Sequence, residues 1–248
     1  MQKSSYNNHY YLLVLLSAIM IFVPAHKSHS LDVKHGRTSR SDTCSHAFIW
    51  MFIFHLAIVY LYASSNKVYP DWLQAKPINI WITSKSKMPI LGTLLNQDWF
   101  QYFIAYGGIV YDGLIVFILL QPRTRKLGFF LSLFFNLFNS VVFQIGIFPY
   151  LMILWNVFFY PGEVVRKKIL KEKTPRLAQN TGSLFPTWAT YALLIYFTIQ
   201  ILLPLRHWVI PGDVNWTEEG HRVSWRMMLR TKSGRGQFIV KNTATGEE

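Results

Sequence analysis

Six apolar stretches recur along this 248-residue chain, and they constrain its fold more than any other feature. They run over 10–24, 47–63, 100–120, 127–143, 145–160 and 184–205. A helix crossing a bilayer needs roughly 17 to 25 predominantly apolar residues. The first and fifth stretches are short, so each would be tilted, locally thinned against, or only partly spanning. Half of the chain is hydrophobic (51%) and only 15% is charged, where a soluble domain carries about a quarter. The expected architecture is an all-α polytopic membrane protein of about six spans. It occupies residues 1–205 and is followed, over 206–248, by the start of a β-rich extracytoplasmic domain.

The net charge of +13 does not point to nucleic acid, because the basic residues gather in short loops without regular aromatic alternation. Lys27, Lys34, Arg37 and Arg40 lie between the first two stretches. Arg123, Arg125 and Lys126 lie between the third and fourth, and Arg166, Lys167, Lys168, Lys171, Lys173 and Arg176 follow the fifth. Basic connections stay in the cytoplasm, so six alternating crossings put these three inside. His9, Lys67, the bend at Phe143–Phe148 and the tail then share the extracytoplasmic side. The N-terminus imitates a signal peptide, but its basic residues follow the apolar run, which reads as an uncleaved span. An outside N-terminus suggests that further spans precede it. A single cysteine, Cys44, excludes an internal disulfide framework. The histidines at 26, 29, 35 and 46 have no ligand spacing, so no metal is expected.

Several residues carry chemistry. Lys67 closes the 47–63 stretch, where a lysine ordinarily snorkels and marks the lipid–water boundary; an amine withdrawn from water there can instead serve as a base. Between the fourth and fifth stretches lies Gln144-Ile145-Gly146-Ile147-Phe148-Pro149, which breaks a helix. It is either a re-entrant bend or a pocket for a flat apolar ligand, lined by Asn139, Phe143, Gln144 and Phe148. Asp112 is an intramembrane acid, either functional or paired with an Arg or His of a neighbouring helix. His55 reads as a hydrogen-bonded helix-packing residue. The tail concentrates Trp216, His221 and Trp225 with Glu and Arg, and 223–229 and 237–241 read as two strands.

Four motifs in order bear a resemblance. They are Asn-Asn-His-x-Tyr at 7–11, Lys-x-x-x-Asp-Trp at 67–72, Asn-Ser-x-x-Phe-x-Ile-Gly-x-Phe at 139–148, and Asn-Trp-Thr-x-x-Gly through Ser-Trp-x-Met-Met at 215–228. Together they resemble the vitamin K-dependent gamma-carboxylase family, including bacterial members with the horizontally transferred transmembrane (HTTM) domain. The match covers about 7–245. The resemblance implies Lys67 as catalytic base and His9 as an essential histidine. Reduced vitamin K hydroquinone would be the cofactor, with O2 and CO2 as co-substrates and no metal. A peptidyl-glutamate protein would be the partner, meeting the quinone where bilayer and water adjoin. The animal enzymes carry a tyrosine near His221 and a second lysine where this chain has Asn66, so those roles do not transfer. The resemblance also implies more spans before residue 1 and a longer β-rich domain after residue 248. The expected activity is γ-glutamyl carboxylation coupled to vitamin K epoxidation. The alternatives are a quinone epoxidase without carboxylation, or a non-enzymatic scaffold or transport protein.

Overall fold

The computed structural model describes residues 8–41, 44–83, 85, 88–89, 91–143, 145–171, 186–217 and 219–226. The described residues are mostly helical and contain no strand. Helix α1 (Asn8–Phe22) leads through a basic connection holding α2 (Leu31–Lys34) to α3 (His46–Ser65). α1 and α3 are apolar on every side, as befits helices in lipid or in a protein interior. Ser45 caps α3, its hydroxyl accepting the Ala47 N–H at 3.3 Å.

Short helices α4 (Pro70–Leu73), α5 (Lys76–Thr83) and α6 (Leu91–Leu95) precede α7 (Asp98–Leu120). Asp98 suits the positive end of the α7 dipole. Gln121, extended ahead of Pro122, ends that helix. Then come α8 (Arg125–Val142), α9 (Phe148–Trp155, prolonged to Phe159 by a 3-10 turn), α10 (Gly162–Lys168), α11 (Thr187–Leu202, prolonged to Trp208) and α12 (Val214–Thr217).

Three helices are long and apolar enough to cross a membrane: His46–Ser65, Asp98–Leu120 and Thr187–Trp208. Joined across a 53° bend to the segment ending at Lys34, α1 makes a fourth. Six full crossings are thus not seen among the described residues. The 145–160 stretch divides into a short α-helix and a 3-10 turn. The 127–143 stretch forms α8, which carries polar residues along one face. Ser132 and Asn136 are buried, while Phe130, Phe134 and Leu137 are exposed. Polar side in and apolar side out reverses the habit of a water-soluble helix. The bend between α8 and α9 turns at Gly146, whose φ of +69° suits a residue without Cβ.

Two apolar cores hold the helices. The larger gathers Leu12, Leu16, Phe52, Leu56, Ile115, Met152, Trp155 and the tail's Trp225. The smaller gathers Trp72, Ala75, Ile78, Ile82 and Leu95 against Ala105 and Val142. The connection over 70–95 therefore folds back on α7 and α8. α3 packs chiefly on α7, and α7 and α9 both pack on α8. At the far end Arg125 donates to the carbonyls of Leu119 and Leu120 and lies 5.7 Å from the Tyr160 ring centroid. The Arg166 charge reaches Cys44, so all three basic connections lie toward one end.

The strand read from Val223 onward is corrected in its first residues. Residues 222–225 form a turn in which Val223 (φ 61°) and Trp225 (φ 58°) adopt left-handed backbone. A β-branched residue there is strained. Residues 227–241, and with them the rest of both expected strands, lie outside the described residues.

Candidate functional site

Between the two cores lies a cavity of about 120 Å³, lined by residues of α1, α3, α5, α7, α8, α9, the chain around Lys67 and Trp72, and the 221–226 turn. One ordered water needs only ~10–15 Å³ by the same measure, so the space admits several waters or a flat ring. Lys67, His9, Asn139, Phe143, Phe148 and Trp225 all line it. Gln144 lies outside the described residues, as does the Trp216 side chain. His221 is in the tail turn but is not among the residues lining the cavity; its carbonyl accepts from the Ser224 hydroxyl at 2.6 Å.

Lys67 stands just past α3, 9% exposed, with its amine 5.5 Å from the centroid of the Trp72 ring. Its Nζ donates to the Asp112 carboxylate, which is 3% exposed. Asp112 thus has an acid's partner, but it is a lysine rather than the Arg or His expected. Two ions buried together are tolerable only with good geometry, and removing one strands the other. Trp72 is fastened by its indole N–H, which donates to the Ala105 carbonyl at 3.0 Å. Below the pair runs a line of neutral polar groups. The Tyr60 and Tyr111 hydroxyls stand 3.3 Å apart, and the Asn136 amide donates to the Ser132 carbonyl at 2.8 Å. The Asn156 amide reaches the Ser132 hydroxyl, also at 2.8 Å. Such groups satisfy one another where lipid offers nothing.

The apolar wall comes from aromatic residues. His9, one residue into α1, stacks on Phe148 at 3.9 Å and 18°. Phe143 meets Trp81 edge-on at 5.9 Å, and Trp81 meets Trp72 at 6.0 Å. These rings give the cavity an apolar wall.

The tail closes over this wall because asparagines hold it. Asn8 accepts the Val223 N–H at 3.1 Å and donates to the Arg226 carbonyl at 2.9 Å. Asn66 donates to the Ser224 carbonyl at 2.6 Å. The strained backbone is therefore pinned from both sides, one pin adjoining His9 and the other adjoining Lys67. Gly220 is needed below it, since a Cβ there would meet the His207 backbone at 2.9 Å. The buried indole N–H of Trp225 has no acceptor among the described residues. The Trp225 ring also lines the cavity.

Sequence reading singled out Asn8 and Trp72 only as motif letters, and it gave no role to Tyr60, Asn136 or Arg226, which also line the cavity. Polar residues inside apolar stretches were the available signal for Tyr60 and Asn136; nothing local marks Arg226.

The HTTM domain family matches residues 1–163, and the lumenal domain of the vitamin K-dependent gamma-carboxylase family matches residues 186–248. The second match begins at the cap of α11, ahead of the boundary expected after Leu205. No solved structure matches the chain significantly. With an HTTM domain over most of its length and the lumenal domain after it, this chain is a membrane protein of the vitamin K-dependent gamma-carboxylase family.

Proposed function

We propose that the cavity is the reaction centre of a γ-glutamyl carboxylase that uses reduced vitamin K, O2 and CO2, and releases the vitamin as its epoxide. The observation that carries this is the meeting of His9, Lys67, Phe148 and Trp225, from four distant parts of the chain, around one cavity. Abstracting a proton from a glutamyl γ-carbon is beyond any side-chain base at neutral pH. When bound, reduced vitamin K supplies a stronger base through its reaction with oxygen. The chain's own residues have smaller tasks. Lys67 takes a proton from an acidic O–H in the cavity, and the Trp72 face receives the resulting charge. Stacked His9 and Phe148, with Phe143 and Trp81, hold a flat ring and keep water out. The Trp225 ring adds to the apolar wall.

Multiple crossings, with this cavity on the extracytoplasmic side, bring lipid-borne quinone and aqueous peptide together. A glutamyl segment of a partner protein would approach past the 221–226 turn. Cysteine introduced at Lys76 should then be labelled from outside, and at Lys167 only after permeabilisation.

The test uses the chain as its gene encodes it, in membranes given reduced vitamin K and labelled bicarbonate. Epoxide and labelled glutamate are measured separately, and both are expected. The histidine at 221, where animal enzymes have tyrosine, favours a second reading: epoxidation without carboxylation. Epoxide without label would select that reading. Neither product from folded protein would leave a non-enzymatic scaffold.

A further inference from the structure

Ala105, Gly108 and Asp112 share one face of α7 at helical spacing. The Ala105 carbonyl receives Trp72 and the Asp112 carboxylate receives Lys67. Gly108 lies between them, where a Cβ would sit 3.8 Å from Nζ of Lys67. Ser64 donates to the Ile109 carbonyl at 2.9 Å, holding the end of α3 against the same helix. The amine therefore lies on bare backbone, with one carboxylate in contact. No other Asp or Glu lines the cavity among the described residues.

We propose that Asp112 is the positioning residue for Lys67, holding its amine at the cavity wall and setting the pH range over which it serves as a base. This rests on the reading of Lys67 as a base under Proposed function. At rest the pair holds one labile proton, either on nitrogen as ammonium and carboxylate or on oxygen as amine and carboxylic acid. Both forms have zero net charge. With the proton on Asp112, the Lys67 lone pair is free to accept a proton from an O–H in the cavity. An N–H bond forms as the O–H bond breaks, and the electron pair of that bond stays on oxygen. The pair then carries +1 opposite an oxyanion, and the site remains neutral overall. That matters in a dry cavity, where an uncompensated charge is costly. The other titratable or charged groups around the pair are Tyr60 of α3, Tyr111 of α7, His9 of α1 and Arg226 of the tail. None of them can replace the carboxylate.

The experiment compares the full chain in membranes as wild type, Asp112→Asn and Asp112→Glu. Epoxide formation is followed against pH, and carbamylation of Lys67 by cyanate is followed by mass spectrometry over the same range. Cyanate attacks only the neutral amine, so this second readout does not depend on turnover. In Asp112→Asn, kcat should fall on the order of tenfold or more with KM for the quinone little changed. Loss of the carboxylate that favours the ammonium form should move the onset of carbamylation to lower pH. Asp112→Glu should restore the wild-type onset and part of the rate. An identical onset in wild type and Asp112→Asn overturns the proposal. A shifted onset in a protein whose wild type forms no epoxide would defeat the base reading and leave the Lys67–Asp112 coupling standing. If Asp112→Asn fails to accumulate, the double variant Lys67→Met with Asp112→Asn decides. Its recovery shows that the single variant failed through the stranded amine, and its failure assigns Asp112 a role independent of Lys67 and overturns the proposal.

Discussion

Two buried polar residues belong to the same stretch of chain, His55 in the middle of α3 and Lys67 just beyond its end, and they do different work. His55 is 1% exposed. Its Nδ1 donates to the Met51 carbonyl at 2.8 Å, since a carbonyl can only accept. Nε2 is then the acceptor for the Tyr196 hydroxyl of α11 at 2.7 Å. Both ring nitrogens are satisfied by protein, and no part of the ring reaches the cavity. Lys67 has three donors, one carboxylate partner among the described residues and a cavity in front of it. A polar group saturated by its neighbours joins helices; one with donors to spare beside open space can do chemistry.

The same contrast separates the helices that these residues bind. α7 buries Gln101, Ala105, Gly108 and Asp112, which meet Asn79, Trp72 and Lys67 of the segments before it. α11 buries only Gln200 within its α-helical part and exposes Trp188, Tyr191, Leu194 and Ile195. Hydropathy ranks both as spans. The polar and small residues of α7 distinguish the helix that carries the site.

The sharpest attempt to break this comparison is Lys67→Arg. Arginine keeps the charge and the reach to Asp112 but does not release its proton near neutral pH. Epoxide formation should fall by roughly 100-fold or more, with thermal unfolding of the purified protein close to wild type. Full activity would place Lys67 with His55 as a structural residue.

Next in size is Asn8→Ala. It removes the bonds to the Val223 N–H and the Arg226 carbonyl, each worth about 0.5–1.5 kcal/mol. The 221–226 turn should exchange its amide hydrogens faster, and turnover should drop roughly tenfold as the strained backbone relaxes. Unchanged exchange would show that other contacts hold the tail.

Trp225→Phe keeps a ring against Tyr11, 5.5 Å away in the native protein, and removes the N–H together with part of the ring surface that lines the cavity. The lost apolar contact predicts a rise of up to roughly tenfold in KM for the quinone. A lower kcat at constant KM would instead assign the ring contact to the transition state.

The smallest effect belongs to Tyr196→Phe. The His55 bond between α3 and α11 should be worth about 0.6 kcal/mol, as interhelical hydrogen bonds in membranes average. Stability in detergent should fall by about that much, with turnover untouched. A loss of turnover would mean that α11 shapes the cavity from a distance.

Sequence alone determined the class of this protein. The 47–63, 100–120 and 184–205 stretches became α3, α7 and α11 within a few residues, because helix formation in an apolar run depends on local composition and backbone hydrogen bonding. The break at 144–149 was equally local, set by glycine and proline. Motif order brought His9, Lys67, Asn139, Phe143, Phe148 and Trp225 to notice. The tertiary structure decided their surroundings: that Lys67 pairs with Asp112, forty-five positions away, that 70–95 folds back as a second core, and that Asn8 and Asn66 pin a strained turn. A helix that is apolar all round carries no mark of which side faces which neighbour, since lipid and protein interior are alike to its side chains. The rotation of each helix, and with it every contact in the cavity, is settled only when the helices pack.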